Sequence, residues 1–470
     1  MKGLFIVSGL GILAMLAEIF KFKKLVYPLV LIGLIAAYAL NFTEWNFDWS
    51  QGNPYPFFAN MIRFDNPALA FSGVILAVAF FWFIFANDYF KNETNITDHF
   101  ALVLFTLVGA LILTAYQNMV MLFLGIEIMS IPLYVLAASR KNDLSSNEAG
   151  FKYLIMGSFA TGFLLFGIAL IYGATGTFDL SLINAKIAAA HGALPLFCYA
   201  GILMMLVAMC FKVSAAPFHF WAPDVYQGSP TVITAFMSTI VKTAAFAAFM
   251  RLFLIGFAPA HDKWSTALSV VIALSLVISN VTAAAQISIK RMLAYSSISH
   301  AAFMLMAILA NTMGSHHDES VYAILYYTFA YSIGSITAFG VLYTVSKSEG
   351  HDGIYAFNGL GKRNPLIAAC MVIAMLSLAG IPITAGFFAK YYIFLTLMAT
   401  GFKWLLILAV LTSAVGVYYY FKVIIAMYFK PSNKTEAITF DTGTTLLIII
   451  TSLITLVIGS MPNFIIDMLR

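Results

Sequence analysis

Apolar runs of membrane-spanning length recur from one end of this chain to the other. About 20 such residues in helical form cross a bilayer core, and in hydrocarbon only helices and closed barrels satisfy every backbone group. The runs lie at roughly 3–20, 25–41, 66–86, 99–116, 118–139, 149–174, 194–221, 230–256, 264–285, 291–310, 320–346, 365–395, 402–429 and 442–461. The expected fold class is an all-α polytopic membrane protein with about 14 transmembrane helices. Composition agrees. Of 470 residues 62% are apolar and 10% charged, against about 25% charged in an average soluble domain. Asn41–Asp65, rich in Trp, Asn and Pro, is the longest polar connection and reads as an extramembrane loop. Gly3–Phe20 is followed by Lys21, Lys23 and Lys24 with no small-residue cleavage site, so it reads as a retained helix and not a signal peptide.

The loops divide unevenly in charge. Lys21, Lys23, Lys24, Lys91, Arg140, Lys141, Lys290, Arg291, Lys347, Lys362, Arg363, Lys430 and Lys434 fall in odd-numbered loops. Lys2, Arg63, Lys186, Lys263, Lys403 and Arg470 fall in even-numbered loops or at the termini. The positive-inside rule places the odd loops in the cytoplasm. An even number of spans then leaves both termini outside.

Several function classes drop out. The net charge of +5 comes from residues in short loops or singly inside runs, so it is no nucleic-acid signal. Cys198, Cys210 and Cys370 all lie in apolar runs without CxxC or Cys/His metal spacing, too few thiolates for an iron–sulfur cluster. Neither G-x-G-x-x-G nor G-x-x-x-x-G-K-[ST] occurs, so a nucleotide site is unsupported.

Charged residues inside the runs carry the functional signal, because a charge at the bilayer centre is costly and tends to mark a pathway. Six basic residues remain there: Lys152, Lys212, Lys242, Arg251, Lys390 and Lys422. Arg251 and Lys422 stand within two turns of a span's end, where a long side chain snorkels to the interface. Lys152 is also near the cytoplasmic end of its span. Lys242 lies about 12 residues into its span, ~18 Å along the axis, and so at mid-bilayer. Lys212 and Lys390 stand beside helix breaks. In FKVSAAPFHFWAPDVYQGSP (211–230) Pro217 follows Lys212, and in LSLAGIPITAGFFAKYY (376–392) Pro382 lies between Gly380 and Gly386, ahead of Lys390.

Shifting helices 4–8 onto helices 9–13 brings Pro217 over Pro382. Five is odd, so the two units enter the membrane from opposite sides. The pattern predicts two inverted five-helix repeats containing the broken helices 7 and 12, the arrangement in which transporters hold broken helices near the midplane. The expected units are 1–98 with helices 1–3, 99–257 as the first repeat, 264–430 as the second, and 431–470 with helix 14.

Glu127, in LFLGIEIMSIPLYVL, is the central carboxylate of helix 5, and a lysine of helix 7 or 8 is its expected partner. His219 follows Pro217 by two positions, and His300 ends IKRMLAYSSISH. A lone intramembrane histidine is often a hydrogen-bonded core group. Two could ligate a haem, but nothing in this spacing asks for one. Burial disfavours an ammonium and a nearby carboxylate favours it. Changing the separation of Glu127 and Lys212 would therefore switch Lys212 between holding and releasing a proton.

WAPDVYQGSP, EAGFKYLIMGS with Lys152, QISIKRMLAYSSISHAAF with His300, and Lys390 on broken helix 12 together resemble the antiporter-like subunits of respiratory complex I, the NADH–quinone oxidoreductase, and among them the N type. The likeness runs from the helix-4/5 region to helix 13. It implies a Glu127/Lys212 pair, Lys242 linking two half-channels, Lys390 serving the second, and Lys152 and His300 on the polar axis. His219 is a further candidate for proton translocation. It also implies no covalent chemistry and no cofactor in this chain. NADH, FMN, iron–sulfur clusters and quinone would belong to partner subunits, and the partners would be neighbouring antiporter-like and small membrane subunits in a bacterial inner (plasma) membrane. The alternative is a subunit of a multisubunit sodium/proton antiporter, whose members share the Glu/Lys framework.

Overall fold

The structure, a computed structural model, describes all residues except 48–57, 59, 60, 92–94, 191–193, 311–316, 399, 433, 435 and 464–470. Much of the predicted loop at 41–65, and Arg470, lie outside the described residues. The helices are α1 (Lys2–Ile19), α2 (Lys23–Asn41), α3 (Asn66–Phe90), α4 (Ile96–Ala115), α5 (Met119–Ala137), α6 (Leu144–Thr175), α7 (Leu180–Ala189), α8 (Leu196–Lys212), α9 (Trp221–Gly228) and α10 (Thr231–Phe236). They continue as α11 (Lys242–Met250), α12 (His261–Ala285), α13 (Ile289–Ala310), α14 (His317–Glu349), α15 (Leu360–Arg363), α16 (Pro365–Ala379), α17 (Ala385–Met398), α18 (Lys403–Phe429) and α19 (Thr442–Ser460). Among the described residues there is no strand, only isolated bridges such as Ile62 with Tyr116.

Among the described residues twelve helices are long and apolar enough to cross a membrane, with Thr231–Gly256 counted as one. The runs expected as helices 7 and 12 are instead pairs of shorter helices, α8 with α9 and α16 with α17. The short helix α7 was not visible as a separate element in the sequence. Asp179 caps its start by accepting from the backbone of Ser181 and Leu182.

Burial sorts these helices. Thr231–Gly256 is buried throughout, and α13 and α14 nearly so, while α2, α6 and α18 turn most of their surface outward. α13 suits a central place because Ala294, Ser296, Ser297, Ser299, Ala301 and Ala302 are small enough for neighbouring helices to approach closely. The basic loops gather at one end of the bundle. There Lys91 pairs with Asp441, Lys347 with Asp88, and Arg363 and Lys434 with Glu349.

Both broken helices end in the same backbone device. α8 is followed by Ser214 at φ 62° and α16 by Gly380 at φ 82°. The next amide in each case reaches back five residues, Ala215 to the Cys210 carbonyl at 2.8 Å and Ile381 to the Leu376 carbonyl at 2.9 Å. This left-handed closure satisfies terminal carbonyls that hydrocarbon would leave bare. Pro217 and Pro382 lie in the links that follow, outside any helix.

Candidate functional site

The central segment carries the first member of the site. Lys242 opens α11, between π-helical turns at Met237–Val241 and Arg251–Gly256. Such turns widen the helix and occur often at functional positions. Lys242 is 4% exposed, and its Nζ donates to the Ser297 carbonyl of α13 at 2.6 Å. Further along α13, His300 Nδ1 hydrogen-bonds with the Tyr327 hydroxyl at 2.7 Å and Nε2 with the Tyr420 hydroxyl at 3.1 Å. Tyr420 also joins Ser296, and the His300 ring lies 4.8 Å from the Tyr331 ring.

Lys390 completes the row. Its Nζ donates to the Ala379 carbonyl at the end of α16, 2.8 Å away, and lies 5.1 Å from the Phe303 ring centre. The negative end of the α16 dipole and the ring face both favour a cation here. Both lysines are close enough to His300 to act on it electrostatically. Lys242, His300 and Lys390 thus form one buried polar row inside the bundle, lined by serine and tyrosine hydroxyls. Its members can hand protons between nitrogen and oxygen atoms without exposing a fixed charge to lipid.

The other half of the site differs from the simple pair expected. Glu127 and Lys212 make no ion pair. Glu127 Oε1 accepts from the Thr161 hydroxyl of α6 at 2.7 Å, while Lys212 donates to the Ser130 hydroxyl, one turn along α5. Thr161 and Lys212 both line a cavity of about 20 Å³, room for about one water molecule. Hydroxyls and a water-sized gap separate the two charges, so a modest helix shift would change their coupling.

His219 sits in the first break, 3% exposed, its ring 4.6 Å from that of Phe220. Its Nδ1 is buried without a hydrogen-bond partner, and no described contact joins it to the buried row. Lys152 is at the basic end, 40% exposed, paired with Glu148 at 2.7 Å and Asp224 at 2.8 Å. Arg291 holds the same Asp224 at 2.9 Å.

Two basic residues, Arg251 and Lys290, depart from expectation. Arg251 does not snorkel. It is 1% exposed, donates from Nη1 to both Asp65 oxygens at 2.9 and 3.0 Å, and donates from Nε to the Tyr116 carbonyl at 3.0 Å. The guanidinium is neutralised in place by a carboxylate of the longest loop, so reaching the interface gains nothing. Lys422, half-buried, reaches the end of α12 and donates to the carbonyls of Ala284 and Gln286, as an end residue is expected to. Lys290, expected in a loop, belongs to α13 and is 5% exposed. Asp65 and Asp224 were legible only as loop acids, since the pairing depends on tertiary contact. Among the described residues no group of three His, Cys, Asp or Glu side chains is placed to hold a metal ion.

Residues 116–416, which include Lys242, His300 and Lys390, match the family described as NADH:quinone oxidoreductase/Mrp antiporter, TM. The chain belongs to this family. A relative from Cytophaga hutchinsonii, named NADH-quinone oxidoreductase subunit N, is 44% identical over 469 residues, 99% of each chain. A chain of respiratory complex I from Thermus thermophilus, solved with bound aureothin, superposes with a TM-score of 0.80 at 30% identity, covering 99% of this chain and 98% of that one. A chain of the Mrp complex from Dietzia sp. has the same fold, with a TM-score of 0.85 at 18% identity over 99% of this chain and 95% of its own. Antiporter-like family members thus share the architecture, and the long N-type relative narrows the resemblance read from WAPDVYQGSP.

Proposed function

We propose that this chain is a proton-translocating membrane subunit of a bacterial NADH–quinone oxidoreductase, complex I. It relays protons while flavin, iron–sulfur and quinone chemistry proceeds in partner subunits. The observation that carries this reading is the buried row Lys242–His300–Lys390, whose polar atoms face carbonyls and hydroxyls in the interior. A spacer would gain nothing from desolvating two ammonium groups there. Glu127 and Lys212 form the adjustable end of the row. Lys152 and His219 flank the path rather than bridge it. α8 with α9 and α16 with α17 then count as broken spans 7 and 12, giving 14 in all, arranged as inverted repeats of residues 99–257 and 264–430. The basic end faces the cytoplasm and both termini the periplasm.

The multisubunit antiporter reading fits the same fold, but the high identity to a relative named as an oxidoreductase subunit favours complex I. Purification from native membranes in mild detergent separates the two. Flavin- and cluster-bearing NADH dehydrogenase subunits should accompany the chain. Recovery with cation/proton antiporter subunits instead would overturn the assignment.

A further inference from the structure

Lys290 lines a cavity of about 920 Å³ at the basic end. The cavity walls mix carboxylates and cations, among them Asp88, Glu148, Asp224, Arg140 and Arg291. Unlike these, Lys290 is buried, with 5% exposure. Its Nζ donates to the carbonyls of Gln227, at 3.1 Å, and Ser229. Arg140, Asp143 and Asp352 line the same cavity. A lysine at a cytoplasmic helix end normally extends into water. This one lines the cavity with its ammonium drawn back onto the end of α9.

What lies behind Lys290 gives that direction a use. Ser297 is seven residues on, two turns along the same face of α13, about 10 Å at 1.5 Å per residue. Its carbonyl holds Lys242. Tyr226, next to Gln227, is 1% exposed, and its hydroxyl lies beside that of Ser297. Beyond Ser297, the hydroxyl of Tyr331 lies beside those of Ser297 and Ser238, and its ring packs on His300. Nitrogen and oxygen atoms therefore recur from the cavity to the buried row.

We propose that Lys290 is the proton-intake residue of this chain. As the neutral amine it takes a proton from water in the charged vestibule, and as the ammonium it passes that proton toward the Tyr226 and Ser297 hydroxyls and on to Lys242. The proposal rests on the proton-relay reading above. It gives the row one mouth, on the same side as the basic loops. The competing role is structural: an ammonium capping the last carbonyls of α9.

Arginine separates the two roles, since it can donate to the same carbonyls but does not readily release a proton. In the assembled complex, in inverted vesicles, Lys290→Met and Lys290→Arg should both lower NADH-driven proton uptake by about tenfold, less than the ~10²–10⁴-fold that a positioned proton carrier can contribute. A capping role predicts that the arginine variant pumps normally. Lys290→Cys supplies an independent readout, because position 290 lines the open cavity whereas the buried Cys198, Cys210 and Cys370 do not. Its thiol should react from the cytoplasmic side. Aminoethylation with bromoethylamine, which rebuilds a lysine-like amine, should restore pumping, while N-ethylmaleimide should not. Parental pumping by the assembled arginine variant, or no rescue of a fully aminoethylated cysteine variant, would overturn the proposal. Lys242→Met in parallel identifies which claim has failed. If it too pumps normally, the relay reading is wrong. If it alone loses pumping, only the intake role is wrong.

Discussion

The two broken helices share a backbone and differ in their charges. Each first half closes with a left-handed residue and an amide reaching back five positions, at Ser214 and at Gly380. Lys212 comes before the first break as the last residue of α8, half-buried, with a hydroxyl and a small cavity between it and Glu127. Lys390 comes after the second break, buried, held by the carbonyl end of α16 and the ring of Phe303, with no carboxylate among its contacts. Lys390 is the sixth residue of α17, and the sixth residue of α9 is the tyrosine Tyr226. The two breaks thus share the opening in the helix and differ in what fills it. An acid near a lysine gives an adjustable charge, whereas a helix terminus and a ring give a fixed cradle.

The largest effect should come from the fixed cradle. Lys390→Met removes the titratable group with little change in volume, and NADH-driven proton uptake should fall by about tenfold or more. Lys390→Arg should be impaired as well, because guanidinium keeps its proton. Assembly on native gels should be retained, since the charge is removed and only the Ala379 carbonyl, not an opposite charge, loses its partner. An assembled Met variant with parental pumping would place the second half-channel elsewhere.

At the adjustable end the loss should be smaller. Glu127→Ala removes the acid that tunes Lys212 but leaves every lysine, so uptake should fall several-fold, and Glu127→Asp should retain part of it. If the alanine variant matches Lys390→Met, the distinction between tuning and carrying fails.

The smallest effect concerns the two turns themselves. Gly380→Ala would place a methyl group in left-handed backbone, costing about 1–2 kcal/mol, and 2.8 Å from Cδ of Lys390. Ser214→Gly relieves the same conformation and should be neutral or slightly stabilising. Thermal denaturation of the purified complex checks both. Equal destabilisation by the two changes would mean that the turns are not equivalent.

The fold was legible because hydrocarbon leaves the backbone few options. The long runs became helices, and Pro217 and Pro382 marked both breaks. Glu127, Lys242, His300 and Lys390 stood out because ionisable groups inside apolar runs are scarce in such a chain. What escaped was pairing across sequence. Arg251 looked like a snorkelling end residue because Asp65, its partner, sits in a distant loop. Lys290 looked like a loop charge because two backbone carbonyls, invisible as side-chain types, draw it inward. Glu127 and Lys212 looked like a direct pair because the hydroxyls of Thr161 and Ser130 are too common to signal a separation.

The central claim is that protons cross this chain along the buried row, and Lys242 is its midpoint. The direct measurement is proton uptake per NADH oxidised in inverted vesicles carrying the assembled Lys242→Met complex. The expected result is uptake lowered by about tenfold or more with normal assembly. An assembled variant that moves the parental number of protons per NADH would contradict the claim.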